Sequence, residues 1–177
     1  MSGGATAENA NLQFNAGSAN IAGLEFLTTI RASLPGELTL PINIAYTFTD
    51  ARFVEPTQNG DPLYGGAEAG DFIPYLPMHQ AMISIGLTHR SFDLTLAGKY
   101  QSAMRDSPGQ GPIEQALTTD AHFVLDIAGT YRLSDILAIY TKVDNATRAQ
   151  YIVSHRPFGI RPGKPMRIFV GLKVEME

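Results

Sequence analysis

The chain contains no cysteine and no tryptophan. The first absence excludes disulfide staples and thiolate metal sites and leaves the compartment open. Charge is scarce too: Asp, Glu, Lys and Arg supply 17% of residues, against about 25% in a typical soluble domain. The net charge of −4 gives no basis for nucleic-acid binding. Long apolar runs are missing; Ile136–Tyr140 is representative of the longest. A helical span needs about 18 or more apolar residues in a row. A helical membrane protein is therefore excluded, and a β-barrel is not. The opening Met1-Ser-Gly-Gly-Ala-Thr-Ala-Glu8 has neither the basic nor the apolar stretch of a signal peptide.

What the chain does have is alternation, punctuated by 17 glycines and 11 prolines within 177 residues, a length that allows one domain. Residues 1–19 read as a loop or frayed strand end, with Leu12 and Phe14 as its apolar anchors. A single barrel-like domain is expected over 20–177. Period-2 patterning predicts strands over Asn20–Ser33, Glu37–Thr49, Tyr75–His89, Phe92–Ala103, Thr119–Arg132, Ile136–Asn145 and Met166–Met176. The second has the clearest pattern: Leu38, Leu40, Ile42, Ile44, Tyr46 and Phe48 share one face, and Thr39, Asn43, Thr47 and Thr49 the other. Pro41 cannot donate to a ladder, so an irregularity is expected there.

The connections alternate in length. Leu34–Gly36, Arg90-Ser91 and Leu133–Asp135 are tight turns; Asp50–Pro74, Met104–Thr118 and Ala146–Gly163 are long loops. Segregation of short turns to one rim and long loops to the other is a property of outer-membrane barrels. Tyr46, Phe48 and Tyr100 fall near loop ends, and Phe92 and Tyr131 near turn ends, as interfacial aromatic girdles do. The expected fold is all-β: an antiparallel meander of about seven strands. An odd count leaves such a sheet open, and an open edge in lipid exposes unpaired backbone groups at several kcal/mol each. Either Leu12–Asn15 adds an eighth strand, or further strands belong to a parent protein.

A resemblance adds to this reading. Asn145, Tyr151 and the run Arg156-Pro157-x-Gly159-x-Arg161-Pro162-Gly163-x-Pro165, followed by an alternating strand, resemble the C-terminus of TonB-dependent outer-membrane receptors of the ferric-dicitrate type. Gly23-Leu24-Glu25, Ala45–Ala51 and Pro74–Gln80 match upstream. Arg148 stands where the family usually has an acidic residue, and the chain ends in Glu177 rather than an aromatic residue. The resemblance implies an incomplete segment of a 22-stranded transmembrane barrel, located in the outer membrane of a Gram-negative bacterium. Plug, energy-coupling segment and signal peptide are then expected upstream, making this the C-terminal piece of a longer protein. It also implies uptake of a ferric chelate (ferric citrate or another siderophore), with outer-membrane lipid, TonB and the barrel assembly machinery as partners.

The residues offer no catalytic group. His122 and Asp126 share a strand face four residues apart, about 13 Å at the usual rise, too far for a dyad. No serine has a base and orienter in a recognisable pattern, and His79, His89, His122 and His155 form no close metal-ligand pair. No enzyme, metal or cofactor is expected. Gly159–Lys164 has one residue too few for a phosphate loop, and Pro165 replaces its Ser/Thr; a rigid loop entering the last strand is the better reading. Asn145-Ala-Thr147 matches a glycosylation sequon and reads as a strand end. The candidate ligand contacts are the loop and lumen groups Arg105, His122, His155, Arg156, Arg161 and Lys164, because arginine's planar fork binds carboxylates bidentately. Asn145, Tyr151, Pro157, Gly159, Pro162, Gly163 and Pro165 form the structural loop motif that the resemblance implies. Two other readings stay open: a self-contained eight-stranded outer-membrane barrel, and a soluble β-barrel holding an apolar ligand inside.

Overall fold

The computed structural model of the chain describes residues 18–57, 66–113, 118–155 and 159–174. Nine strands occur among them: β1 (Ala19–Leu34), β2 (Leu38–Phe53), β3 (His79–His89), β4 (Phe92–Gln101), β5 (His122–Arg132), β6 (Leu137–Asp144), β7 (Ile152–Ser154), β8 (Arg161–Pro162) and β9 (Arg167–Val174). Seven form one antiparallel sheet in the order β1-β2-β3-β4-β5-β6-β9, and β7 and β8 pair separately. The expected meander is therefore present, with a short ribbon added inside its last loop. Among the described residues β1 and β9 are not paired with each other, so the sheet is open. The stretch proposed as an eighth strand, Leu12–Asn15, lies outside the described residues.

Register carries the strand alternation across the whole sheet. Ile30 pairs with Ile42, Ile42 with Ile85, Ile85 with Leu96, Leu96 with Ile127, Ile127 with Val143, and Val143 with Ile168. Because successive side chains point to opposite faces, this registration builds one unbroken apolar face from β1 to β9. The opposite face carries Thr29, Asn43, Ser84, Ala97, Asp126, Asp144 and Arg167 at neighbouring levels. The apolar face is open to its surroundings: Leu24 is 64% and Val170 71% exposed. A contiguous exposed apolar patch of this kind marks an interaction surface.

The aromatic residues sit at the two ends of this face. At the loop rim the Tyr46 hydroxyl and His79 Nδ1 share a 2.9 Å hydrogen bond, and Phe48 packs on the His79 ring at 5.4 Å. Tyr100 pairs with Phe123 beside them. At the turn rim Phe92 pairs with both His89 and Tyr131.

Several boundaries differ from expectation for local reasons. β3 begins at His79 rather than Tyr75: Pro74 and Pro77 cannot donate, and Tyr75 has a left-handed backbone (φ 58). β5 begins at His122 rather than Thr119, because Thr119 turns inward and bonds Met104 through both N and Oγ1. β2 runs on to Phe53, since β1 continues alongside it as far as Ala19. Pro41 interrupts pairing to β3 as expected: Thr39 and Ile42 are registered, and the residues between are not. Gly86 opposite admits the proline ring; a Cβ there would lie 2.7 Å from Pro41 Cγ.

Apart from Gly86, Gly98 and Ala138 within β3, β4 and β6, the buried residues of the described chain cluster where loops fold onto the sheet's rim. Ala51, Phe53, Ala67 and Met104 are buried, and Thr119 is fully so. Residues 71–73 extend the sheet beyond β2, through Phe53 N to Asp71 O and Ile73 N to Ala51 O, and Phe72 bridges both Arg52 and Gly109. Two long loops are thereby joined into one layer.

Candidate functional site

On the polar face, below the long loops, lies a cavity of about 430 Å³. The cavity opens on this face, between the sheet and the loop that follows β6. The floor is apolar, with Ala45, Met82 and Val124 from β2, β3 and β5. The walls are charged, and the charges form a ladder across four strands. Lys99 Nζ on β4 meets Asp126 Oδ2 on β5 at 2.8 Å. Asp126 Oδ1 accepts the Asn145 backbone N–H at 2.9 Å. On β6, Asp144 takes Lys142 at 2.9 Å on one oxygen and Arg167 of β9 at 2.8 Å on the other. Lys99 is a diagonal neighbour of Asp126, Arg167 lies directly opposite Asp144, and Lys142 is two residues along β6, all on one face and within reach of long side chains.

The loop after β6 folds inward and completes the cavity. Asn145, left-handed at φ 51 and 1% exposed, is its bracket. Asn145 Nδ2 donates to the carbonyls of Ala149 and Lys164, both at 2.9 Å. Asn145 Oδ1 accepts from Thr147 Oγ1 at 3.0 Å and from Ala149 N at 2.9 Å. Every hydrogen-bonding position of the amide is thus used. Asparagine suits the place because its short amide tolerates the left-handed region and reaches backbone on both sides. Further along, Tyr151 stacks on His122 with ring centroids 3.8 Å apart and 14° between planes. His122 Nδ1 donates to the Asp120 carbonyl at 3.0 Å, and the Asp120 carboxylate accepts Ile152 N at 2.8 Å. Gly163 N donates to Tyr151 O. A Cβ at Gly163 would lie 2.1 Å from the Tyr151 ring, so only glycine allows the ring to sit there. Tyr151 and Lys164 line the cavity opposite Lys99 and Gln101.

A second cluster sits in the loop layer. Phe72 lies beneath two guanidiniums, Arg52 at 4.0 Å and Arg105 at 5.6 Å. Arg52 holds Asp50 with Nε at 2.7 Å and Nη2 at 3.2 Å, and Arg105 bonds the Gly111 carbonyl. Cation–π contacts of this kind contribute about 0.5–1 kcal/mol each when exposed. Their effect here is to clamp two loops to one aromatic ring.

The sequence-level candidates therefore separate. His122 and Lys164 come together at the polar-face cavity, with Tyr151 of the loop motif. Arg105 belongs to the Phe72 cluster. Arg161 is exposed on β8, paired across to Ser154. His155 Nδ1 is buried and makes no hydrogen bond among the described residues. Arg156 and Pro157 lie outside the described residues. Pro162 pairs with Ile152 in the ribbon, Gly159 turns the chain at φ 103, and Pro165 precedes β9. Sequence reasoning missed the ladder of Lys99, Asp126, Lys142, Asp144 and Arg167. The usable signal was their shared strand parity, which places all of them on the polar face.

This open sheet, apolar outside and charged within, matches a family model described as "TonB dependent receptor-like, beta-barrel" over residues 2–146. The chain belongs to that family. TonB-dependent receptors are Gram-negative outer-membrane proteins that act as transporters and receptors. Among solved structures, the siderophore receptor PiuA from Acinetobacter baumannii superposes with a TM-score of 0.66 at 10% identity, covering 88% of this chain and 22% of PiuA. The ferric-catecholate import receptor Fiu from E. coli K12 superposes in its closed form with a TM-score of 0.54 at 16% identity, covering 94% of this chain and 31% of Fiu. Its open form gives 0.53 at 16% identity, covering 88% and 26%. At these identities the likeness is one of fold. The chain spans less than a third of the length of either receptor. No curated protein is similar enough in sequence to count as a match.

Proposed function

We propose that the chain forms about a third of the wall of a TonB-dependent outer-membrane transporter that binds a ferric chelate outside the cell and admits it to the periplasm. The observation carrying this reading is the unbroken apolar face, registered through all seven strands, backed by a polar face whose ion pairs need water or a polar filling. A soluble barrel with an apolar ligand inside requires the apolar face to be enclosed, and among the described residues that face is exposed. A self-contained small barrel requires a closing strand, and β1 and β9 are unpaired with each other among the described residues. In this reading the apolar face meets outer-membrane lipid, the short turns face the periplasm and the long loops face outward. Assembly uses the barrel assembly machinery, and TonB supplies energy through a plug region elsewhere in the receptor. His122 and Lys164 are the ligand-facing members of the candidate set, and Arg105 and Arg161 are cations of the outer loops.

The test is iron uptake by cells carrying the full-length receptor as their sole ferric-chelate transporter. Iron-55 supplied as ferric citrate or as a ferric catecholate should accumulate, and loss of TonB should abolish it. Uptake of neither chelate, with the receptor correctly inserted in the outer membrane, would remove the transport reading.

A further inference from the structure

The three long connections hold one another in series. The first, after β2, is bound to the second, after β4. Phe72 N donates to the Gly109 carbonyl at 3.0 Å, Tyr75 N to the Arg105 carbonyl at 3.0 Å, and Gln110 Nε2 to the Ala69 carbonyl at 3.2 Å. The Phe72 ring beneath Arg52 and Arg105 closes that joint. The second connection is bound across its own ends, where Thr119 N donates to the Met104 carbonyl at 2.9 Å and Met104 N to Thr119 Oγ1 at 3.1 Å. The next residue reaches the third connection, after β6. Asp120 N donates to the Ile152 carbonyl at 3.2 Å, Ile152 N donates back to Asp120 Oδ2 at 2.8 Å, and His122 stacks on Tyr151. Thr119 stands between the two joints and is 0% exposed, so a movement on one side meets no slack there. A buried backbone group that loses its partner is costly. Lifting any one connection therefore strips partners from its neighbour.

We infer that the three connections are one opening unit, a lid whose keystone is Phe72, so that the cavity wall of Tyr151 and Lys164 swings clear only when the whole layer lifts. Phe72 does not line the cavity. Its influence runs through Arg105, Met104, Thr119 and Asp120. The layer is also held against a preference of its own backbone. The first connection runs into β3 through Tyr75, whose left-handed φ of 58 is uncommon for a bulky residue. Such strain persists only where the surroundings over-determine it. Here the contacts that do so are the clasp itself, Phe72 N on Gly109 and Tyr75 N on Arg105. Clasp and strain oppose each other within three residues, which gives the lid two discrete arrangements rather than a continuous range.

The experiment is amide hydrogen exchange, read by mass spectrometry with residue-level fragmentation, on the purified full-length receptor in detergent. Exchange of a hydrogen-bonded amide follows the opening that frees it, and amides freed by one cooperative opening share its free energy. Phe72→Ala removes two cation–π contacts and should speed exchange by about tenfold at Tyr75, Thr119, Ile152 and Gly163 alike. Amides in the middle of β3 and β4 should keep the wild-type rate. Asp120→Ala with His122→Ala cuts the joint to the third connection. In that background, adding Phe72→Ala should change Gly163 by less than about twofold while still speeding Tyr75 and Thr119 by about tenfold. Ile152 and Gly163 exchanging within about twofold of wild type in the Phe72 variant would overturn the single lid. So would a step of about tenfold at Gly163 in the cut background. Should Phe72→Ala fail to insert, Arg105→Met, which removes one of the two guanidiniums, should speed the same four amides together by about threefold.

Discussion

Replacing Asn145 by alanine should release the whole inward-folded loop while leaving the barrel wall in place. The amide is 1% exposed and makes four hydrogen bonds. A net hydrogen bond is worth about 1 kcal/mol, and a buried partner left orphaned costs about 1–3 kcal/mol. Thr147 Oγ1 can turn to water, but the carbonyls of Ala149 and Lys164 and the N–H of Ala149 lose their partner together. Alanine also holds the left-handed φ of 51 less well than asparagine, by about 1 kcal/mol. Allowing for water entering the vacated space, the loop should be destabilised by about 3 kcal/mol. The assay is limited trypsin cleavage after Arg148 in the assembled receptor. Where opening is fast relative to cutting, the rate follows the open population, so Asn145→Ala should raise it by about 100-fold. Asn145→Gly, which has the bond loss without the backbone strain, should fall between the two. A rate within about threefold of wild type would refute the bracket, and with it the idea that this loop is a fixed wall of the cavity.

Ile44→Arg should impair assembly by about 2–4 kcal/mol if position 44 lies at the bilayer midplane, whereas Asn43→Arg should be tolerated, as read from the heat-modified mobility of the receptor. Gly171→Ala should lower the unfolding temperature only slightly, because the group its Cβ would meet is the far end of the exposed Tyr140 side chain, which can swing aside; a large loss would show that the Tyr140 ring is held in place. Asp144→Asn should lower the unfolding temperature slightly, since Arg167 and Lys142 keep water on their exposed sides. An unchanged unfolding temperature in the Asp144 variant would show the ladder to be without structural weight.

Much of the fold is written in single-strand patterns. The six apolar positions of β2 and the alternation of β9 specify a one-faced sheet, and the tight turns at 34–36 and 90–91 fix which strands are neighbours. Where expectation failed, a local rule was overridden by a contact made elsewhere. Tyr75–Met78 leads directly into the alternating run of β3, yet Pro74, Pro77 and a left-handed Tyr75 keep it out of the ladder. The β7–β8 ribbon left no signal, being too short for periodicity and containing Pro162. The cavity was less legible than the sheet. His122 and Lys164 were picked out as single polar groups, but their meeting depends on Asn145 and Asp120 bending a long loop inward. Lys99 reaches Asp126 across a connection whose register no turn sequence specifies.

The central claim is that the face bearing Ile44 meets lipid and the face bearing Asn43 meets water. With no native cysteine, Ile44→Cys and Asn43→Cys each give a single label site in the intact receptor in its own membrane. A lipid-soluble thiol probe should label position 44 and spare 43, and a small water-soluble thiol reagent should label 43 and spare 44. Labelling of 44 by the water-soluble reagent, with none by the lipid probe, would contradict the assignment of faces on which the whole account stands.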